Sequence, residues 1–261
     1  MARTTWKKFP YADKAYTYAA AALKKSWPRL HRGDAEPYPA DETVQEAWRA
    51  YHAGDFGKAF DLALTAGLPG YNAANKAAMI YANYLEDDEE RKLALFLDVA
   101  KRCEILQEKE PDNANAWYFH AYALGRYSQG ISVAKALAQG LGGKIRTSLE
   151  KALQLEAAHA DAHIALGTWH AEIIDKVGGM VGGLTYGAKK EAGEKHFRSA
   201  LETNPDSAIA RTEYANGLVM MFGRSRLRDA EKLYAEAAIH APADAMERLD
   251  VEAAKAELED D

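Results

Sequence analysis

The sequence predicts an all-α chain, a right-handed α–α superhelix of about five helical hairpins with an N-terminal helical extension and a C-terminal capping helix. One recurring phrase carries most of this. A helix-forming run ends in an alanine–hydrophobic pair, an acidic or polar turn follows, often with proline, and a new helix begins. The phrase occurs at 106–117, 152–163, 200–208 and 237–244. Repetition of this kind implies hairpins too small to bury their own apolar faces, stacked into a solenoid. Composition agrees: 48% of the 261 residues are hydrophobic and 28% charged, enough for both a core and a solvated surface.

Taken in order, residues 1–40 form an extension with one predicted helix, 11–26. Trp27-Pro28 is expected to stop it, because proline disfavours helix in the residue before it. A loop rich in proline, glycine and charge, 32–39, leads to a boundary near Asp41. The array then spans 41–242. Its first hairpin pairs 42–52 with 58–64, with the small residue Ala59 where the helices touch. A looser hairpin pairs 72–85 with 89–109 across the turn Glu86-Asp87-Asp88. Glycine-rich insertions at 128–144 and 177–187 interrupt the third and fourth hairpins at equivalent points, so both should emerge on one edge. Residues 243–261 supply the capping helix, 243–258, and an acidic tail.

Trp117, Leu166-Gly167, Phe56 with Ala59, and the spaced set Ala230, Tyr234, Ala237 and Pro242 match the signature of the tetratricopeptide repeat, which the region 41–242 resembles. Within it, Trp117-Tyr118, Gly130-Ile131, the 144–155 helix and Leu166-Gly167-Thr168-Trp169 before the second insertion are similar to the tetratricopeptide-like domain of the regulator of microtubule dynamics family, over 113–218. More distantly the chain resembles the T-component proteins of TRAP transporters. The first resemblance implies a helical interaction domain without enzymatic activity. Microtubule association does not carry over, since no tubulin motif is visible. The T-components are exported lipoproteins, and the apolar stretch 19–23, broken by Lys24 and Lys25, reads as too short for a signal peptide, so that role is not expected.

The net charge of -6 gives no reason to expect nucleic acid as partner. The single cysteine, Cys103, falls in a helical pattern as a small buried hydrophobe and excludes an intrachain disulfide. No apolar run approaches the roughly 20 residues that cross a bilayer, so no membrane insertion is expected and a cytoplasmic location follows. The first segment is basic and the last acidic, which reads as two solvated caps or as attraction between the ends of neighbouring subunits.

Gly143-Lys144 is followed by Ile145 rather than Ser or Thr, and no strand precedes it, so a phosphate loop is not supported. His120, His163 and His170 fall at inter-helix packing positions, with His159 one turn before His163, and they read as neutral packing groups. No catalytic residue, metal site or cofactor is implied. In such a fold the first helix of each hairpin lines the concave face. The residues expected to look outward there are Tyr118, Tyr122 and Arg126, then Ile164, Thr168 and Glu172, then Thr212, Asn216 and Met220. An aromatic, sparsely charged lining suits a protein or peptide segment. The expected function is therefore a non-enzymatic adaptor or scaffold, with homo-oligomer as a further partner class. The alternative is a small-ligand-binding or transporter-associated component whose glycine-rich insertions close a cavity.

Overall fold

The computed structural model describes residues 6–259, and every regular element among them is helical. After a 3-10 turn at Lys14–Tyr16 come α1 (Ala20–Leu30), α2 (Glu42–His52), α3 (Phe56–Thr65), α4 (Tyr71–Tyr84), α5 (Glu89–Lys109), α6 (Ala114–Gln129) and the short α7 (Val133–Ala138). These are followed by α8 (Leu141–Leu155), α9 (Ala160–Val177), the single turn α10 (Gly179–Val181), α11 (Lys190–Thr203), α12 (Ala208–Phe222), α13 (Leu227–Ala238) and α14 (Ala245–Glu259). The polar residues of the inter-helix turns, those of the recurring phrase among them, are N-caps. Asp41, Asp55, Asp88, Asn113 and Ser207 each accept a hydrogen bond from a backbone N–H of the first helical turn, satisfying donors that have no partner inside the helix.

The first helix departs from its predicted bounds. It starts later, at Ala20, and runs through Pro28 to Leu30. Pro28 lies in the last turn, where its missing N–H removes a single helical bond, while buried Trp27 and Leu30 anchor the turn in the core.

The hairpins are α2/α3, α4/α5, α6/α8, α9/α11 and α12/α13, and α14 packs on α12, α13 and α2. One apolar cluster runs through the later hairpins, with Phe96, Phe119, Leu149, Trp169, Phe197 and Leu218 at its centre. Phe197 explains two glycines of the pattern: a Cβ on Gly167 or Gly217 would stand 2.9 or 2.5 Å from its ring. A second cluster gathers Leu23, Trp27, Trp48, Tyr51 and Phe56, and it includes Ala245 and Leu249 of α14.

The last helix therefore returns to the first hairpin. Tyr18 donates to the Ala243 carbonyl at 2.7 Å, buried His52 bonds buried Asp244 at 2.7 Å, and Tyr84 donates to Asp250. Arg29 and Glu247 form a two-pronged ion pair. One pair of opposite charges from the two end segments, Arg29 and Glu247, thus meets within one chain.

Both insertions follow the C-terminal ends of α6 and α9 and touch each other's surroundings: the Arg146 guanidinium bonds the Tyr186 carbonyl, and Trp169 donates to the Gly142 carbonyl at 2.8 Å. Met180 and Leu184 at the tip of the second insertion are 80% and 85% exposed. No helix among the described residues is long and apolar enough to cross a membrane.

Candidate functional site

The helices α4, α6, α9, α12 and α14 surround a central cavity of about 130 Å³. Since about 10–15 Å³ holds one water, there is room for a small ligand. Its floor is the loop after α1. There the Gly33 carbonyl accepts from the Asp161 backbone N–H at 2.9 Å at the start of α9 and Arg32 pairs with Asp206 at 2.7 Å before α12, while Arg29, in the last turn of α1, reaches Glu247 in the first turn of α14. Glu36 accepts from Asn72 at 2.9 Å and from Asn115 at 2.6 Å, in the first turns of α4 and α6. This short loop closes the N-terminal end of four inner helices, and the last turn of α1 reaches the fifth, where the helix dipoles favour the loop's two acids. Ala35, between Asp34 and Glu36, takes a left-handed φ of 50° to point both acids inward.

The floor is a polar network in which His31 Nε2 and Asn72 Oδ1 are left without a partner among the described residues. Lys76 donates to Asp34 at 2.5 Å, and His31 donates to the other oxygen of Asp34 at 2.9 Å. His159 accepts from the Ala162 N–H through Nδ1 and donates through Nε2 to Asn115, which fixes it as a neutral tautomer. Burial pushes the imidazoles of His31 and His159 down to about 4. Burial would push Asp34 up, but the adjacent Lys76 ammonium and His31 hold it well below the usual carboxylate range. Glu36 is pushed up to about 8 by burial and by the charge of Asp34.

Above the floor the wall is apolar and aromatic: Met79, Ile80 and Tyr84 from α4, Tyr118, Phe119 and Tyr122 from α6, Ile164 and Trp169 from α9, Ile209 from α12 and Met246 from α14. Arg126 stacks on Tyr122 at 5.3 Å and pairs with Glu213 at 2.9 Å, and Thr168 donates to Glu213 at 3.1 Å. Asp250 is pushed up to about 8 by burial, and Asp161 up to about 7 by the same cause. Exposed Gln129 donates to Glu172 at 2.5 Å at the opposite end from the floor.

Of the sequence-predicted residues, Tyr118, Tyr122, Arg126, Ile164, Thr168 and Glu172 come together in this cavity. Thr212, Asn216 and Met220 do not line it. Thr212 is buried, Asn216 is held by the Tyr234 hydroxyl and Met220 packs on the later core, because α12 is gripped by α13 and α14 and presents Ala208, Ile209 and Glu213 inward instead. Of the two insertions only Gln129 reaches the cavity lining; the floor loop and α14 bound it elsewhere. Sequence reasoning missed Lys76, Asp161, Glu213, Glu247 and Asp250. Lys76 carried a signal, as the one charge in the otherwise uncharged, fully buried stretch of α4.

The histidines pair differently from their sequence grouping. His163 meets His196 at 2.8 Å and His170 stacks on His196, while His120 bonds Ser148 at 2.8 Å. Burial lowers His120 and His163 and brings His170 and His196 down to about 4. Among the described residues no group of three or more His, Cys, Asp or Glu is arranged to hold a metal ion. Cys103 is fully buried, accepts from Asn75 at 3.3 Å, and has its thiol pushed up by burial, the opposite of an activated nucleophile.

No protein-family model matches the chain, and no curated protein sequence matches it. Among solved structures, a thermophilic tetratricopeptide-repeat protein of Thermus thermophilus aligns with a TM-score of 0.58 over 82% of this chain and 98% of that one, at 17% identity. The fold is tetratricopeptide-like. At that identity the likeness concerns architecture, and it singles out neither of the two narrower families that the sequence resembles. In this tetratricopeptide-like array the concave face is stopped at one end and bridged by the last helix.

Proposed function

We propose that the chain is a non-enzymatic binding protein whose inner cup receives a small ligand or the end of a chain. This keeps the adaptor character expected of tetratricopeptide-like arrays and narrows what fits. The observation that supports it is the closure of the concave face: loop 31–36 seals one end and α14 crosses to α2 and α4, so an extended peptide has no through-running trough. What remains is a cavity of about 130 Å³ with aromatic walls already fixed by packing, an arrangement in which the protein loses little freedom on binding.

Tyr118 and Tyr122 are the central contacts of this reading, with Arg126, Thr168 and Glu172 nearer the opening. A fragment screen by protein-observed NMR tests it. Binding fragments should shift resonances of the cup, and Ala165→Trp, which places a large side chain in the cavity wall, should abolish those shifts while leaving helicity unchanged. Tyr118→Ala with Tyr122→Ala should weaken the same fragments at least tenfold. Fragment binding undiminished in Ala165→Trp removes the cup from consideration.

A further inference from the structure

The cup's polar groups are unequally supplied with partners, and the imbalance has a chemical direction. Each cation in the wall already has a carboxylate of its own: Arg29 has Glu247, Lys76 has Asp34, and Arg126 has Glu213. The acids outnumber them. The Asp161 carboxylate receives no side-chain or backbone hydrogen bond from any described residue; it lies against Gly33, where a Cβ would collide with Oδ1. Asn204 also lines the cavity. The residue is 8% exposed and its Oδ1 is buried without a donor. These two open positions are acceptors, while the Tyr118 hydroxyl beside them is a donor without a hydrogen bond to any described residue. A buried acceptor without a donor costs free energy that a ligand N–H recovers.

We propose that the cup binds an ammonium group carried on an apolar body, the ammonium held by Asp161 with Asn204 as a further acceptor, and the body lying against Tyr118, Tyr122, Ile164 and Met79. This rests on the reading of the cup as a binding site and adds the class of ligand. Aromatic rings beside a cation are attractive through their π-faces, and three of the walls supply them through Tyr84, Tyr118, Tyr122 and Trp169. The charges acting on Asp161 are Lys76, which attracts it but is bonded to Asp34, and the acids Asp34 and Glu247; Asp250 is within electrostatic reach. An incoming ammonium favours the ionised form of Asp161, which burial holds at about 7, so binding releases protons near neutral pH. A free alkyl amine and the N-terminus of a peptide share this chemistry.

Calorimetric titration with matched probes tests the proposal: octylamine, octan-1-ol and octanoate, together with leucyl-phenylalanine amide and its N-acetyl form. Octylamine should bind at least tenfold more tightly than octanol and octanoate, more tightly at pH 8 than at pH 6, and with a heat that depends on the buffer's ionisation enthalpy. Asp161→Asn should remove the tenfold advantage and leave octanol affinity unchanged. That unchanged affinity shows the variant is folded and the cup intact. If the free-amine dipeptide exceeds octylamine and acetylation abolishes its binding, the ammonium belongs to a chain end; the reverse order assigns it to a small amine. Octanol or octanoate binding as well as octylamine overturns the ammonium assignment while the cup stands. No binding by any probe overturns both.

Discussion

Phe197 shows how one side chain dictates composition at a distance. Gly167 on α9 and Gly217 on α12 both abut its ring, so Gly217→Ala should destabilise the chain by about 1–3 kcal/mol through overpacking. Gly143, in α8 with nothing within 4 Å of a Cβ, is the control: Gly143→Ala should stabilise by about 0.5–1 kcal/mol through helix propensity. Chemical denaturation of both variants checks the pair. Titratable groups at this scale pull in opposite directions. Glu36, Asp161 and Asp250 have raised pKa values of about 8, 7 and 8, so their cost to stability is full above about pH 8 and shrinks as pH falls. His31, His159, His170 and His196 are lowered to about 4, so they cost nothing above about pH 7 and destabilise increasingly below the unfolded value of about 6.5. Asp34, held low, adds to the loss in acid. Tm should rise from pH 9 to about pH 7 and fall below about pH 6; a flat profile from pH 5 to pH 9 would contradict these burials.

At the level of elements, the helices were legible because their capping residues and hairpin spacing are local features. Asp41, Asp55, Asp88, Asn113 and Ser207 mark starts that any reader of the chain can find. The inner-facing residues of α6 and α9 were legible for the same reason, since position within a regular hairpin sets the direction of a side chain. Those of α12 were not, because α14 changes what surrounds it, and that contact joins residues distant in sequence. The floor loop was invisible for a related reason: its composition suggests a linker, while its function depends on Asn72, Asn115, Asp161 and Asp206 arriving from four separate turns. Ending the chain at Pro242 removes α14, strips Ala245 and Leu249 from the second core cluster, and leaves His52, Arg29 and Tyr84 without these carboxylate partners. The shortened chain should keep most of its helical circular dichroism and lose about 3–5 kcal/mol of stability. Leu166→Asp, placing a charge at a 5% exposed inter-helix position, should instead lower helicity itself.

For the whole molecule, closure replaces the open curve of a repeat array with a ring. A chain of this length folded compactly has a radius of gyration of about 18 Å, and small-angle scattering should return that value for the full chain. The chain ended at Pro242 should give a larger one despite its smaller mass. Equal radii would mean that α14 does not hold the ring.

The site at the centre is walled by α14 and floored by the loop after α1, so residues near both termini build it together. During synthesis the early hairpins emerge and pack first, yet the chamber cannot exist until α14 has left the ribosome. A product stopped before α14 would thus be a stack of repeats with nowhere to hold a guest, and occupancy of the chamber reports that α14 has docked.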